Sequence, residues 1–386
     1  MTGFLTSLLL FFALLACGSL APAQEASELR IKPEKGEDLN EPHKITASWN
    51  MEMGGKDFDE GKDQGAAAYL YFDTKFNWEM TPWLRARANP EVDIYSRRVQ
   101  ERFDSDDYAD GIALAEAYLS LHTVGDLAEF RGGAINQGFL NDDMLVYDRR
   151  SFPGFQQLLN FEFEHHKIIL SAQQVVPTSY SLNDEREDRE PLPVFNTQSI
   201  EFSGRELQLL DWRLNLGHYS WTNLPNKIAY QSSLTGNSVL GDAPDNAFRY
   251  QFDGYFGGLE VCACMQDSPL QVVAEFQRIA NKRAASGFGD AQMVGIGPRY
   301  HLGEYELSLR YRHYFIERDA TVSAYNRSFL GNSNRVGDNV RVGVEFLRRH
   351  FAIFGEYDNA LTIRQDPNQF TFTAFRLGVE TNYAPF

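Results

Sequence analysis

Apolar and polar residues alternate with a period of two along most of this chain, from Lys44 almost to the final Phe386. In the first stretch Ile45, Ala47, Trp49 and Met51 share one face, and Lys44, Thr46, Ser48, Asn50 and Glu52 share the other. Such a segment is a β-strand with one oily and one wet side. Two more follow: Ala68, Leu70, Phe72, Phe76 and Trp78 oppose Tyr69, Tyr71, Asp73, Lys75, Asn77 and Glu79, then Leu84, Ala86 and Ala88 oppose Arg85, Arg87 and Asn89. Ala113 to Leu121 and Ala128 to Ala134 give the fourth and fifth, Leu159 to Phe163 and Ile168 to Ala172 the sixth and seventh, Ile200 to Phe202 and Trp212 to Leu216 the next pair. Seven more centre on Leu259 to Ala263, Leu270 to Phe276, Val294 to Tyr300, Leu307 to Tyr311, Val340 to Phe346, Phe351 to Tyr357 and Phe375 to Tyr383, for sixteen in all. Pro298 sits inside the twelfth, where a strand edge or a bulge tolerates it.

The connections fall into two alternating classes. Odd ones are long, covering residues 54–65, 96–111, 136–154, 177–196, 222–248, 281–290, 317–336 and 360–368, and even ones are short turns such as Met80-Thr81-Pro82. An even number of half-oily strands joined as hairpins satisfies its backbone in a bilayer only by closing on itself. The pattern predicts an all-β fold: a transmembrane antiparallel barrel with short periplasmic turns, long extracellular loops and both termini in the periplasm. A soluble sandwich or propeller would show the same alternation. The two-class connections and the aromatics Trp78, Trp83, Tyr305 and Phe351 near the short turns favour the barrel.

Composition fits once the alternation is known. A mean hydropathy of −0.39 suits a soluble protein, but averaging hides strands that are wet on one side only. Phe4 to Ala16 is apolar, and Ala21-Pro22-Ala23 offers a small-residue cleavage site, so residues 1–23 read as a secretory signal, 24–42 as a short periplasmic segment and 43–386 as the barrel. Leu14-Leu15-Ala16-Cys17 is a competing lipidation-type cut. A net charge of −17 argues against nucleic acid as a partner.

The wet faces carry the candidate chemistry. Lys75, Arg85, Arg87, Arg299, Arg310, Arg312, Arg341 and Arg376 fall on neighbouring strands once the ends meet, and Glu116, Glu129, Glu162, Glu164 and Glu201 fall on the other side. Opposed basic and acidic arcs would set a transverse field across a lumen that sixteen strands leave open; the alternative is local salt bridges lining the wall. The acidic runs Asp104 to Asp110 and Asp184 to Glu190 read as solvated loop faces. Cys262 and Cys264 read as wall residues; free thiols or a disulfide that needs bent backbone are the other options. His165-His166 has no serine-containing motif beside it, and no metal-ligand or cofactor motif is present, so the chain reads as a non-enzyme.

The run Glu116-Ala117-Tyr118-Leu119-Ser120-Leu121, then Gly125-Asp126-Leu127 and Arg131-Gly132-Gly133, together with the terminal Phe386, resembles the porin and alginate-export-like barrels of Gram-negative outer membranes. The resemblance implies passive diffusion of small hydrophilic solutes or ions, contact with outer-membrane lipid and lipopolysaccharide, and a homotrimer. It also implies that the third long loop enters the barrel, making Asp142 and Asp143, behind a helix-capping Asn141, the candidate constriction. A barrel hydrolase and an export or adhesion barrel are the alternatives.

Overall fold

In the computed structural model the described residues are 44–61, 63–100, 111–140, 142–147, 150–177, 190–206, 209–264, 268–326, 332–348, 350–381 and 384–385. The expected signal segment, the periplasmic segment and most of both acidic runs lie outside them.

Nine strands run up and down in chain order: β1 (Lys44–Glu60), β2 (Asp63–Thr81), β3 (Leu84–Gln100), β4 (Gly111–His122), β5 (Ala128–Asn136), β6 (Ser151–Glu162), β7 (His166–Val175), β8 (Val194–Glu206) and β9 (Leu210–Thr222). A helix, α1 (Asn226–Leu234), and a small ribbon, β10 (Val239–Leu240) with β11 (Ala247–Phe248), interrupt the series. It resumes with β12 (Phe252–Ala263), β13 (Leu270–Asn281), β14 (Asp290–Leu302), β15 (Tyr305–Ile316), β16 (Arg335–Phe346), β17 (Phe351–Thr362) and β18 (Phe372–Thr381), followed by β19 (Ala384–Pro385). Each wall strand pairs antiparallel with the one before it, β9 pairs with β12, and β1 pairs with both β2 and the last position, held by β18 and β19. The result is a closed antiparallel barrel of 16 strands, as the alternation requires.

Burial follows the dyad. Leu119, Leu121, Leu216, Val294, Ile296, Leu307, Leu309, Val342, Ile353 and Leu377 stand exposed on the outer face, where lipid would cover them. Tyr305 packs edge-on to Phe346 (5.2 Å), which stacks on Phe351 (4.4 Å) beside the short turns, an aromatic belt of the kind that marks a membrane interface.

Two details differ from the sequence reading. Residues 54–60 and 63–65 are strand, paired from Lys44↔Glu79 to Glu60↔Asp63, so strand takes up most of the expected first long connection, with a turn at Gly61 atop a tall hairpin. In β4 the register shifts opposite Asn89 and Pro90, so Ile112 and Leu114 face out and Ala115 is buried. Proline cannot donate to the ladder, and a bulge there re-phases the strand.

Gly133 in β5 has φ +142°, and a Cβ on it would lie 2.3 Å from the Ala117 carbonyl oxygen of β4. Strained backbone and overpacking then act together, so Gly133→Ala should cost about 2 kcal/mol or more, measurable as a lower urea midpoint for the protein refolded in lipid vesicles.

Candidate functional site

The described part of loop 3, residues 137–140, 142–147 and 150, turns into the barrel. Leu140, Met144, Leu145 and Val146 are fully buried against Ile135, Phe152, Val322 and Tyr325 in one apolar cluster. Wall and loop groups fix its path: Asn215 of β9 donates to the Leu140 carbonyl (2.6 Å), the Thr321 hydroxyl donates to the Leu145 carbonyl (3.1 Å), and the Tyr147 amide donates to the Tyr325 carbonyl (2.8 Å). Its tip reaches β15, eight positions around the ring of sixteen from β5 and so on the far wall. There Arg312 grips Glu275 of β13 with two bonds (2.5 and 2.8 Å) and meets Asp143 at 3.3 Å. The three groups are almost wholly buried, so removing one partner from such a set typically costs about 3–5 kcal/mol.

The local turn is built by Asp142. Its Oδ1 accepts from the Met144 and Leu145 amides (3.1 and 3.2 Å), the capping role expected of Asn141, which lies outside the described residues. Its Oδ2 is buried without a hydrogen-bond partner, and burial pushes the carboxyl up to about 8.

Other long loops brace loop 3. Loop 5 (residues 223–251) carries α1, whose first amide, on Asn226, donates to Glu190 at 2.7 Å, an acid at the positive end of the helix. Asn237 donates to the Arg318 and Thr321 carbonyls of loop 7 (residues 317–334) and accepts from the Ser323 amide. Asp319 accepts from the Ser238 amide (2.8 Å), and burial pushes its carboxyl up to about 6. Trp221 of β9 stacks between Phe195 (3.9 Å) and Tyr325 (4.9 Å). The long-loop half of the barrel therefore has an apolar core inside the wall, which the alternation alone did not foretell.

Most of the residues read as two arcs stand beside opposite charge. Arg87 pairs with Glu116 (2.6 Å), Arg85 with Asp126 (3.1 Å), Arg341 with Glu380 (2.5 Å) and Arg299 with Glu306 (4.0 Å). Arg376 pairs with Glu356, and Lys75 feels Asp73, Arg87 and Glu116. On the acidic side Glu129 pairs with Arg131 (2.6 Å), Glu162 with Lys167 (3.1 Å), and Glu201 lies near Arg213 and Lys167. Glu164 is 90% exposed in its turn and joins no arc. Glu275 and Glu356 were missed, although the phase was readable: with Ala274, Phe276 and Tyr357 facing out, both must face in.

Ser120 Oγ lies 2.7 Å from His122 Nε2, and His122 Nδ1 lies 3.1 Å from Asp126, the order of a hydrolase triad. Ser120 is 2% exposed, and His122 is crowded by Arg85 and Glu129, so the hydroxyl cannot meet a substrate; the cluster pins the short-turn end of β3 to β5. His165 and His166 sit beside Glu164 and Glu206. Cys262 and Cys264 are joined as a disulfide, where ordinary wall residues were expected. Their Cα atoms are 5.4 Å apart because the chain leaves extended geometry at the end of β12. Among the described residues no group of three or more His, Cys, Asp or Glu is placed to hold a metal ion.

A closed barrel of sixteen strands with an inward third loop has the architecture of outer-membrane porins, and solved structures show the same fold. OprB of Pseudomonas putida superposes with a TM-score of 0.54 at 12% identity, covering 88% of this chain and 94% of that one. An anion-selective porin from Comamonas acidovorans gives 0.52 at 10% identity, over 89% and 100%. The outer membrane channel DcaP of Acinetobacter baumannii gives 0.51 at 12%, over 89% and 97%. No protein-family model and no curated protein matches the chain.

Proposed function

We propose that the protein is an outer-membrane porin, a passive channel for small hydrophilic solutes or ions whose constriction is formed by loop 3 and the wall charges opposite it. The reading rests above all on Asp143 meeting Arg312 across the barrel interior, which narrows the path between two charged surfaces. An apolar outer face, with charged residues lining the inner wall toward the short turns, suits a water-filled lumen in lipid. In that setting the short turns face the periplasm, and the long loops and lipopolysaccharide lie outside. A homotrimer, suggested by resemblance, belongs to the same reading, as do the pore-facing basic residues and Glu116, Glu129, Glu162 and Glu201 as its lining.

The interlocked loops favour one rival, a scaffold or adhesion barrel with a blocked lumen. Reconstitution into planar bilayers decides between them: the proposal expects discrete, stable conductance steps, and a folded barrel that passes no current would refute it. Gel migration with and without heating tests the trimer.

A further inference from the structure

We infer that Arg310 is the anchor of a carboxylate-binding site on the inner wall, one step toward the short turns from the constriction, and that the channel favours solutes bearing a carboxylate. The inference rests on the pore reading above and names the solute class.

Arg310 differs from its neighbours. Arg312 is taken by Glu275 and Asp143, Arg341 by Glu380, Arg376 by Glu356 and Arg299 by Glu306. Among the described residues Arg310 has no ion pair and no hydrogen bond, and its Nε is buried without a partner. A guanidinium with unused donors inside a protein wall is costly unless something accepts from it. The charged groups felt at Arg310 are Arg312, Arg341, Glu356 and Glu275, and both acids are already held by other arginines.

On the β14 side Arg310 stands opposite Gly297, which has no side chain, and the ladder is interrupted there: Ile296↔Tyr311 and Arg299↔Ser308 pair, with no pairing between them. Pro298 accounts for the gap, having no N–H to donate. On the β16 side Arg341 faces Arg310 directly. Like charges paired across a sheet repel unless an anion lies between them or beside them. Arg341 is fixed by Glu380 and by stacking 4.1 Å over the Phe354 ring, so it supplies field while Arg310 supplies donors. The planar fork of a guanidinium matches a carboxylate with two parallel bonds. A solute passing Asp143 would exchange its carboxylate from water onto Arg310.

The test uses the whole protein in planar bilayers with chloride as the current carrier and gluconate as the probe, a hydrophilic monocarboxylate large enough to obstruct the path. Gluconate should interrupt the wild-type current, and glucose, uncharged and of similar size, should do so far less. Arg310→Gln should raise the half-blocking gluconate concentration about tenfold or more. Arg310→Lys, which keeps the charge without the fork, should fall between. Equal block of wild type and Arg310→Gln, or equal block by glucose and gluconate, overturns the carboxylate site and leaves the pore standing. A wild-type barrel that passes no chloride overturns the pore reading itself. Should Arg310→Gln fail to fold, Arg310→Lys carries the comparison, and an unchanged half-blocking concentration there counts against the site.

Discussion

Leu145→Asp is expected to drive loop 3 out of the barrel interior and raise single-channel conductance at least twofold. Leu145 is fully enclosed, with Met144 and Val146 buried beside it, and each such side chain contributes roughly 1.5–3 kcal/mol through burial. An unpaired carboxylate buried in that apolar cluster costs several kcal/mol. The wall does not share the penalty, because its ladder closes through β1 and β18 without help from the loop. The least costly response is for the loop to leave, taking Asp143 from Arg312 and widening the path. Conductance in planar bilayers, alongside heat-modifiable migration to show an intact barrel, checks it; a folded variant with wild-type conductance would mean that loop 3 does not set the constriction.

The second large effect concerns pH. Burial pushes the Asp142 carboxyl up to about 8, so it is protonated in the seated loop at neutral pH. With the loop withdrawn into water the same carboxyl titrates near the usual carboxylate range, about 4. The seated loop thus holds a proton that the withdrawn loop gives up. Its advantage is full below about pH 4 and declines by about 1.4 kcal/mol per pH unit up to about pH 8, above which both states are charged and the loss is complete. Flickering to a higher conductance level should grow as pH rises from 5 to 9. Asp142→Asn keeps an oxygen for the Met144 and Leu145 amides and has nothing to titrate. Its conductance should stay flat over the same range, and a variant that still flickers with pH would place the switch elsewhere.

Much of the wall was legible in the sequence. Ile45, Ala47, Trp49 and Met51 alternate with polar residues because lipid and water act on opposite sides of every spanning strand, and that constraint is written locally, residue by residue. The same phase placed Arg310, Arg312, Arg341 and Arg376 inside. It failed where local geometry broke the period, as at Ala115, and where a tall hairpin carried polar residues such as Asp57 and Asp59 beyond the oily belt and looked like a loop.

The site was less legible, because a loop's path depends on the shape of a cavity walled by strands far away in the chain. Asp143 and Arg312 meet across a separation of 169 residues, and nothing near either position announces the other. Nor could the alternation say which arginine Glu275 would take, and hence that Arg310 would be left over. By itself the sequence determined a closed barrel, its strand number and the side most wall residues face, because a bilayer imposes a period of two wherever the strand stays regular. Only the tertiary structure decided how the loops fold inward and which charges pair, because those depend on distances that closure creates between residues the chain keeps apart.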